Sequence, residues 1–160
     1  MSKTSSLEFN KKLYEKLNAS HFNYDKDKEI KKQEWLYDNW IPKGTVTIVS
    51  GKGGLGKGYI VMDIMGRLAN GKSLIYQDDL EHEKIDPIKI LFISFEDDPE
   101  TSVKKRIEYD MGHDTSNIDG LDALKMPSIN ISQPEVKRFI TERIKEHKYQ
   151  LLVIDPIISM

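Results

Sequence analysis

The sequence predicts an α/β fold of three layers around a mostly parallel sheet, and three observations predict it. A β-branched run, Val46 to Val49, leads into the glycine cluster Gly51-Lys-Gly-Gly-Leu-Gly-Lys-Gly58 and then into a helical pattern. Two further runs, Ile90-Leu-Phe-Ile-Ser-Phe95 and Leu151-Leu-Val-Ile154, are almost wholly apolar, as in strands covered on both faces of a parallel sheet. Each of these runs ends in acids, Glu96-Asp97-Asp98 and Asp155, and the C-terminal tips of parallel strands are where ligands sit in open α/β sheets.

The bulk numbers bound the answer. With 160 residues, 38% of them hydrophobic and 31% charged, the chain has room for one domain with a real core. The absence of cysteine excludes disulfides and thiolate metal sites. No apolar stretch reads as a secretion signal or approaches the length of a membrane span, so a cytoplasmic protein without membrane contact is expected. A formal net charge of −2 gives no global attraction to nucleic acid.

Residues 1–34 form a lysine-rich lead-in, with Phe9, Leu13, Tyr14 and Leu17 at the spacing of a short amphipathic helix and a solvated charge run from Lys26 to Lys32. The domain proper is expected over 35–160. Trp35, Tyr37 and Trp40 precede a turn at Pro42 and Gly44 and are expected to pack against the sheet edge, the alternative being a face on which a base stacks. The strand Val46 to Val49 follows.

Gly51, Gly56 and Lys57 then stand at the spacing G-x-x-x-x-G-K of a phosphate-binding loop. A backbone that wraps a triphosphate turns its N–H groups inward and approaches more closely than a Cβ allows, which glycines at 51, 53, 54, 56 and 58 permit. The helix beginning near Lys57 adds its N-terminal partial charge, and the Lys57 ammonium can reach the β and γ phosphates. The expected binding set is Gly51, Lys52, Gly53, Gly54, Leu55, Gly56, Lys57, Gly58 and Tyr59. Lys52 also reads as a solvated loop lysine.

In the helix, Ile60, Val61, Ile64, Met65 and Leu68 share one face, and Asn70-Gly71 supplies the stop. Residues 72–87 are acidic and irregular, and His82, without a second histidine at ligand spacing, reads as solvated. After the strand at 89–95, Asp98 before Pro99 is a good N-cap. Val103, Ile107 and Met111 then point inward along a helix that stops at Gly112. Residues 113–122 read as a loop, Ala123 to Met126 as a short strand, and Ser132-Gln-Pro-Glu135 as a capping box opening a helix with Val136, Phe139, Ile140 and Ile144 on one face. The last strand ends at Asp155.

Three tips thus converge on one edge of the sheet: the loop 51–58, Glu96 and Asp155. In nucleotide hydrolysis Asp155 would hold Mg²⁺ and Glu96 would orient or deprotonate the attacking water. The plainer alternatives are a turn-starting acid for Asp155 and a helix-start acid for Glu96.

The stretches Gly-Lys-Gly-Gly-Leu-Gly-Lys-Gly, Leu-Ala-Asn-Gly-Lys, Ile-Leu-Phe-Ile-Ser-Phe-Glu-Asp-Asp-Pro-Glu and Leu-Leu-Val-Ile-Asp-Pro-Ile resemble, in order and spacing, the RecA-like P-loop ATPases of the RepA type, hexameric replicative helicases of plasmids and phages. The resemblance runs from about Trp35 to Met160. It implies that Gly51 to Gly58 is the Walker A loop, Glu96 the catalytic glutamate with Lys57 beside it, and Asp155 the Walker B aspartate. It further implies ATP and Mg²⁺ bound between subunits of a homo-oligomeric ring, with hydrolysis driving movement on single-stranded DNA.

Two departures stand out. Residue 58 is glycine where the family pattern has a Mg²⁺-ligating Ser or Thr, so metal binding must lean on water and a carboxylate. In the RecA-like order, the strand lying between the Walker A and Walker B strands follows Walker B in sequence. That order leads us to expect an N-terminal part of a longer chain, incomplete at the C-terminus, with DNA-binding loops and arginine finger beyond Met160. Lys52 gives the loop a second likeness, to the deviant Walker A of the ParA and MinD family of dimeric switches. Those have Thr or Ser at position 58 and Asp-x-Asp where this chain has Ser94-Phe-Glu96. A third alternative is a nucleotide-sensing module without turnover.

Overall fold

Ile90–Ser94, the middle strand of a three-stranded parallel sheet, positions everything that follows, and all five of its residues are buried. The structure, a computed structural model, describes residues 11, 13–16, 32–37, 40–72, 85–125 and 130–156. Contacts divide the chain into two units, Met1–Thr47 and Ile48–Met160.

In the first unit, β1 (Trp35–Tyr37) and β2 (Ile41–Pro42) pair antiparallel. Tyr37 is buried, whereas Trp40 is 61% exposed, so the aromatics do not share one packing role. Residues 11 and 13–16 are helical, with Leu13 and Tyr14 exposed. Phe9, Leu17 and most of the charge run lie outside the described residues, as does His82.

The expected strand Val46 to Val49, which runs across the boundary between the two units, does not form: it has no ladder partner among the described residues, and Val46, Ile48 and Val49 are exposed. β-branched composition favours a strand only where a neighbour supplies hydrogen bonds. The order actually formed is β4-β3-β5, with β3 at Ile90–Ser94, β4 at Ile118–Asp122 and β5 at Leu151–Asp155.

Helix α1 runs Lys57–Ala69 and ends as its sequence predicts. Gly71, at φ +66°, closes a Schellman motif in which Gly71 N–H donates to Leu68 C=O and Lys72 N–H to Arg67 C=O. Its buried face is rotated from the expected one: Met62, Met65, Gly66, Leu68 and Ala69 are buried, while Ile60 is 54% exposed. Gly66 explains the rotation, because the His113 side chain packs directly on it. A Cβ at position 66 would stand 2.4 Å from His113 Cδ2, and His113 is itself buried and held by Asp63 at 3.0 Å. Gly66→Ala is therefore expected to destabilise the fold by about 2 kcal/mol through overpacking, measured as a lower urea midpoint at unchanged slope.

Two wide turns, Pro99–Val103 and Arg106–Asp110, joined through Lys104 and Lys105, make helix α2. Asp98 caps it as predicted, accepting from Glu100 N–H at 2.9 Å and Thr101 N–H at 2.8 Å. The winding is looser than an α-helix: Val103 N–H reaches Asp98 C=O and Met111 N–H reaches Arg106 C=O, five residues back in each case. Val103 and Ile107 are buried as expected, and Gly112 at φ +68° ends the helix.

The segment expected as a loop holds β4, and Ala123–Lys125 is a 3-10 turn rather than a strand. Ile-Asp-Gly-Leu-Asp is poor in strand formers, yet Gly120 serves a packing purpose. Any Cβ there would fall 2.7 Å from Pro99 Cβ, so glycine lets the start of α2 seat against β4. Helix α3 spans Pro134–His147. The expected capping box does not form: proline at the first helical position makes Gln133 the N-cap, without a side-chain cap bond. Ile140 is buried and Val136 and Ile144 pack beside it, but Phe139 is 48% exposed.

The layers follow from strand alternation. Leu91 and Ile93 face α3 in a cluster with Ile140 and Tyr149. Ile90, Phe92 and Ser94 point to the opposite face, where α1 packs on the second half of α2. Tyr149 hydrogen-bonds Asp119, and burial, followed by that bond, pushes its hydroxyl up to about 12.

Candidate functional site

The loop between Ser50 and Lys57 is exposed throughout, with Gly54 at φ +76° and Gly56 at φ +79°. Left-handed backbone at these two positions is what glycine supplies without strain. A Cβ at Gly53, Gly54 or Gly56 would meet no atom within 4 Å, so open space lies over the loop. Gly56 is also the N-cap of α1. The first N–H groups of α1 lack intrahelical acceptors, and an anion at this turn would receive them together with the helix dipole.

Lys57 folds back over this loop. Its Nζ donates to the Lys52 carbonyl at 3.0 Å, and its Cδ would lie 3.5 Å from a Cβ at Gly51. Lys52 thus contributes its backbone oxygen here, with its side chain exposed.

The two strand tips stand beside the loop. In the parallel ladder Ser94 is level with Asp155, and Phe95 N–H donates to the Asp155 carbonyl at 2.9 Å. A Cβ at Gly58 would lie 3.8 Å from Asp155 Oδ2, which puts the start of α1 against the tip of β5. Burial pushes the Asp155 carboxyl up, Glu96 and Asp97 push it further, and Lys57 pulls it back. Phosphate loop, Glu96 and Asp155 are therefore brought within electrostatic reach of one another.

The three consecutive acids are sorted by their partners. Asp98 caps α2. Asp97 accepts from Arg106 Nη1 at 2.8 Å, and its own N–H donates to Ser94 Oγ at 3.0 Å. Glu96 is exposed and has no hydrogen bond or ion pair among the described residues. Sequence reasoning missed Arg106 and gave Tyr59 only a place in the loop: the guanidinium lies over the Tyr59 ring at 5.5 Å. The only sequence signal was the basic run Lys104-Lys105-Arg106, which fixes no contact.

Does the site suit a nucleotide with its metal? No three His, Cys, Asp or Glu among the described residues group tightly enough to hold a metal alone. Mg²⁺ keeps most of its waters and takes one or two carboxylates plus substrate phosphates. Asp155, at the loop and under repulsion from two other acids, is the group a cation would relieve.

A glycine loop opening a helix, a lysine at the first position of that helix at the G-x-x-x-x-G-K spacing and a carboxylate at a parallel strand tip beside it define a P-loop nucleotide-binding domain. A family model described as an AAA domain matches residues 14–160. The chain belongs to this family, whose members are RecA-like P-loop ATPases. No significant match was found among curated proteins or solved structures. No described helix is long and apolar enough to cross a membrane.

Proposed function

We propose that residues 51–59 bind ATP with Mg²⁺ and that the chain hydrolyses it, as the ATPase domain, over 35–160, of a RepA-type DNA helicase or a related replication or repair ATPase of a mobile element. The observation that carries the reading is that a Cβ at position 58 would lie 3.8 Å from Asp155 Oδ2, which sets the phosphate cradle beside a carboxylate suited to a metal. The family membership and the RecA-like resemblance of the β3 and β5 tips support it.

Each residue has a distinct task. The backbone of Gly51 to Gly58 donates to phosphate oxygens, and Lys57 leaves the Lys52 carbonyl to neutralise them. Glu96 orients the attacking water and accepts its proton. Asp155 is the residue that would hold the metal, which would supply charge neutralisation at the phosphates when bound. Single-stranded DNA and a ring of like subunits belong to this proposal through the resemblance.

The test is Mg·ATP turnover with and without single-stranded DNA. DNA-stimulated turnover is expected. Tight binding with no turnover leaves a nucleotide sensor, and ATP-driven dimers answering to duplex DNA point to a ParA-like switch. Gly58→Ser would restore a hydroxyl near Asp155 Oδ2. It is expected to lower the Mg²⁺ concentration for half-maximal turnover about tenfold, the equivalent of one added charge-assisted contact.

A further inference from the structure

We infer that Arg106 is a positioning residue for the phosphate site: it holds and neutralises Asp97, so that Glu96 alone of the two side chains faces the bound triphosphate. The inference rests on the ATP-binding reading above.

The geometry carries it. Arg106 reaches two of the elements that meet at the site, with Nη1 2.8 Å from Asp97 Oδ2 after the tip of β3 and its carbon 5.5 Å from the Tyr59 ring on the first turn of α1. Asp97 has two further partners: Ser102 Oγ is 3.4 Å from its other oxygen, and Ser94 Oγ accepts its backbone N–H at 3.0 Å. Position 106 lies on the second wide turn of α2, nine residues after Asp97.

A half-exposed ion pair contributes little to stability, and Asp97 and Arg106 are 37% and 33% exposed. Its charge balance matters more. Without Arg106, the Asp97 carboxylate would stand unneutralised with Glu96 and Asp155 around a ligand that is itself polyanionic. Held against Asp97, Arg106 would act on phosphate affinity through that carboxylate.

The experiment is the Kd of a fluorescent ATP analogue with Mg²⁺, for the wild type, R106Q, D97N, the double variant and R106K, with thermal denaturation run alongside. R106Q is expected to weaken binding about tenfold, from one unscreened charge near several phosphate charges. The double variant R106Q/D97N is expected to return to within about twofold of the wild type, and R106K to fall between. A double variant as weak as R106Q overturns the inference, since Arg106 would then act on the ligand or only on the fold. Unchanged binding by R106Q overturns it equally. If R106Q does not fold, R106K with and without D97N carries the same contrast. A wild type that binds no nucleotide removes the ATP-binding reading and the inference with it, an outcome distinct from binding that is blind to Arg106.

Discussion

Lys57→Ala is expected to weaken Mg·ATP binding about a hundredfold, the loss of two charge-assisted hydrogen bonds to phosphate, with no change in helix content or melting temperature. The asymmetry between binding and stability follows from where Lys57 sits. Its ammonium holds a single exposed bond to the Lys52 carbonyl at 3.0 Å, and solvent competes fully for such a bond. Alanine at the first helical position costs the helix nothing in propensity. On binding, the same ammonium exchanges one neutral acceptor for charged oxygens, so the whole loss appears in the complex. Isothermal titration calorimetry of both proteins checks this, and an affinity within threefold of the wild type would place the phosphates elsewhere.

Much of the domain was legible where one local rule decided the outcome. Asn70-Gly71 stops α1 because a left-handed glycine satisfies two carbonyls at once. Asp98-Pro99 starts α2 because cap and ring geometry are set within three residues. The apolar run of β3 is buried throughout, as a strand covered on both faces must be, whereas β5, of the same composition, is only half-buried along its length.

What failed to show depended on partners distant in sequence. Val46 to Val49 has the composition of a strand, but composition cannot provide a neighbouring ladder. β4 was hidden in Ile-Asp-Gly-Leu-Asp because its glycine answers to Pro99, twenty-one positions earlier in the chain. The rotated face of α1 answers to His113, and the failed box at Ser132 to a competing proline. At the site, Glu96 and Asp155 were visible as strand-tip acids, whereas the division among Glu96, Asp97 and Asp98 shows only in their partners, Arg106 for Asp97 and the first N–H groups of α2 for Asp98.

That division leads to the second large expected effect. Glu96→Gln should lower kcat about a thousandfold, the middle of the range for loss of a positioned general base, while Mg·ATP binding stays as tight or tightens. Glutamine keeps the shape of the side chain and removes only its charge and basicity. Glu96 makes no hydrogen bond or ion pair among the described residues, so little folded structure depends on that charge. Nearby, the Asp155 carboxyl is pushed up by burial and then by Glu96 and Asp97; removing the Glu96 charge relieves both Asp155 and the incoming phosphates. Catalysis and affinity should therefore move in opposite directions, which a general loss of structure cannot produce. Single-turnover hydrolysis measured beside equilibrium nucleotide binding separates the two, and a variant that hydrolyses at the wild-type rate would take the water-positioning role away from Glu96.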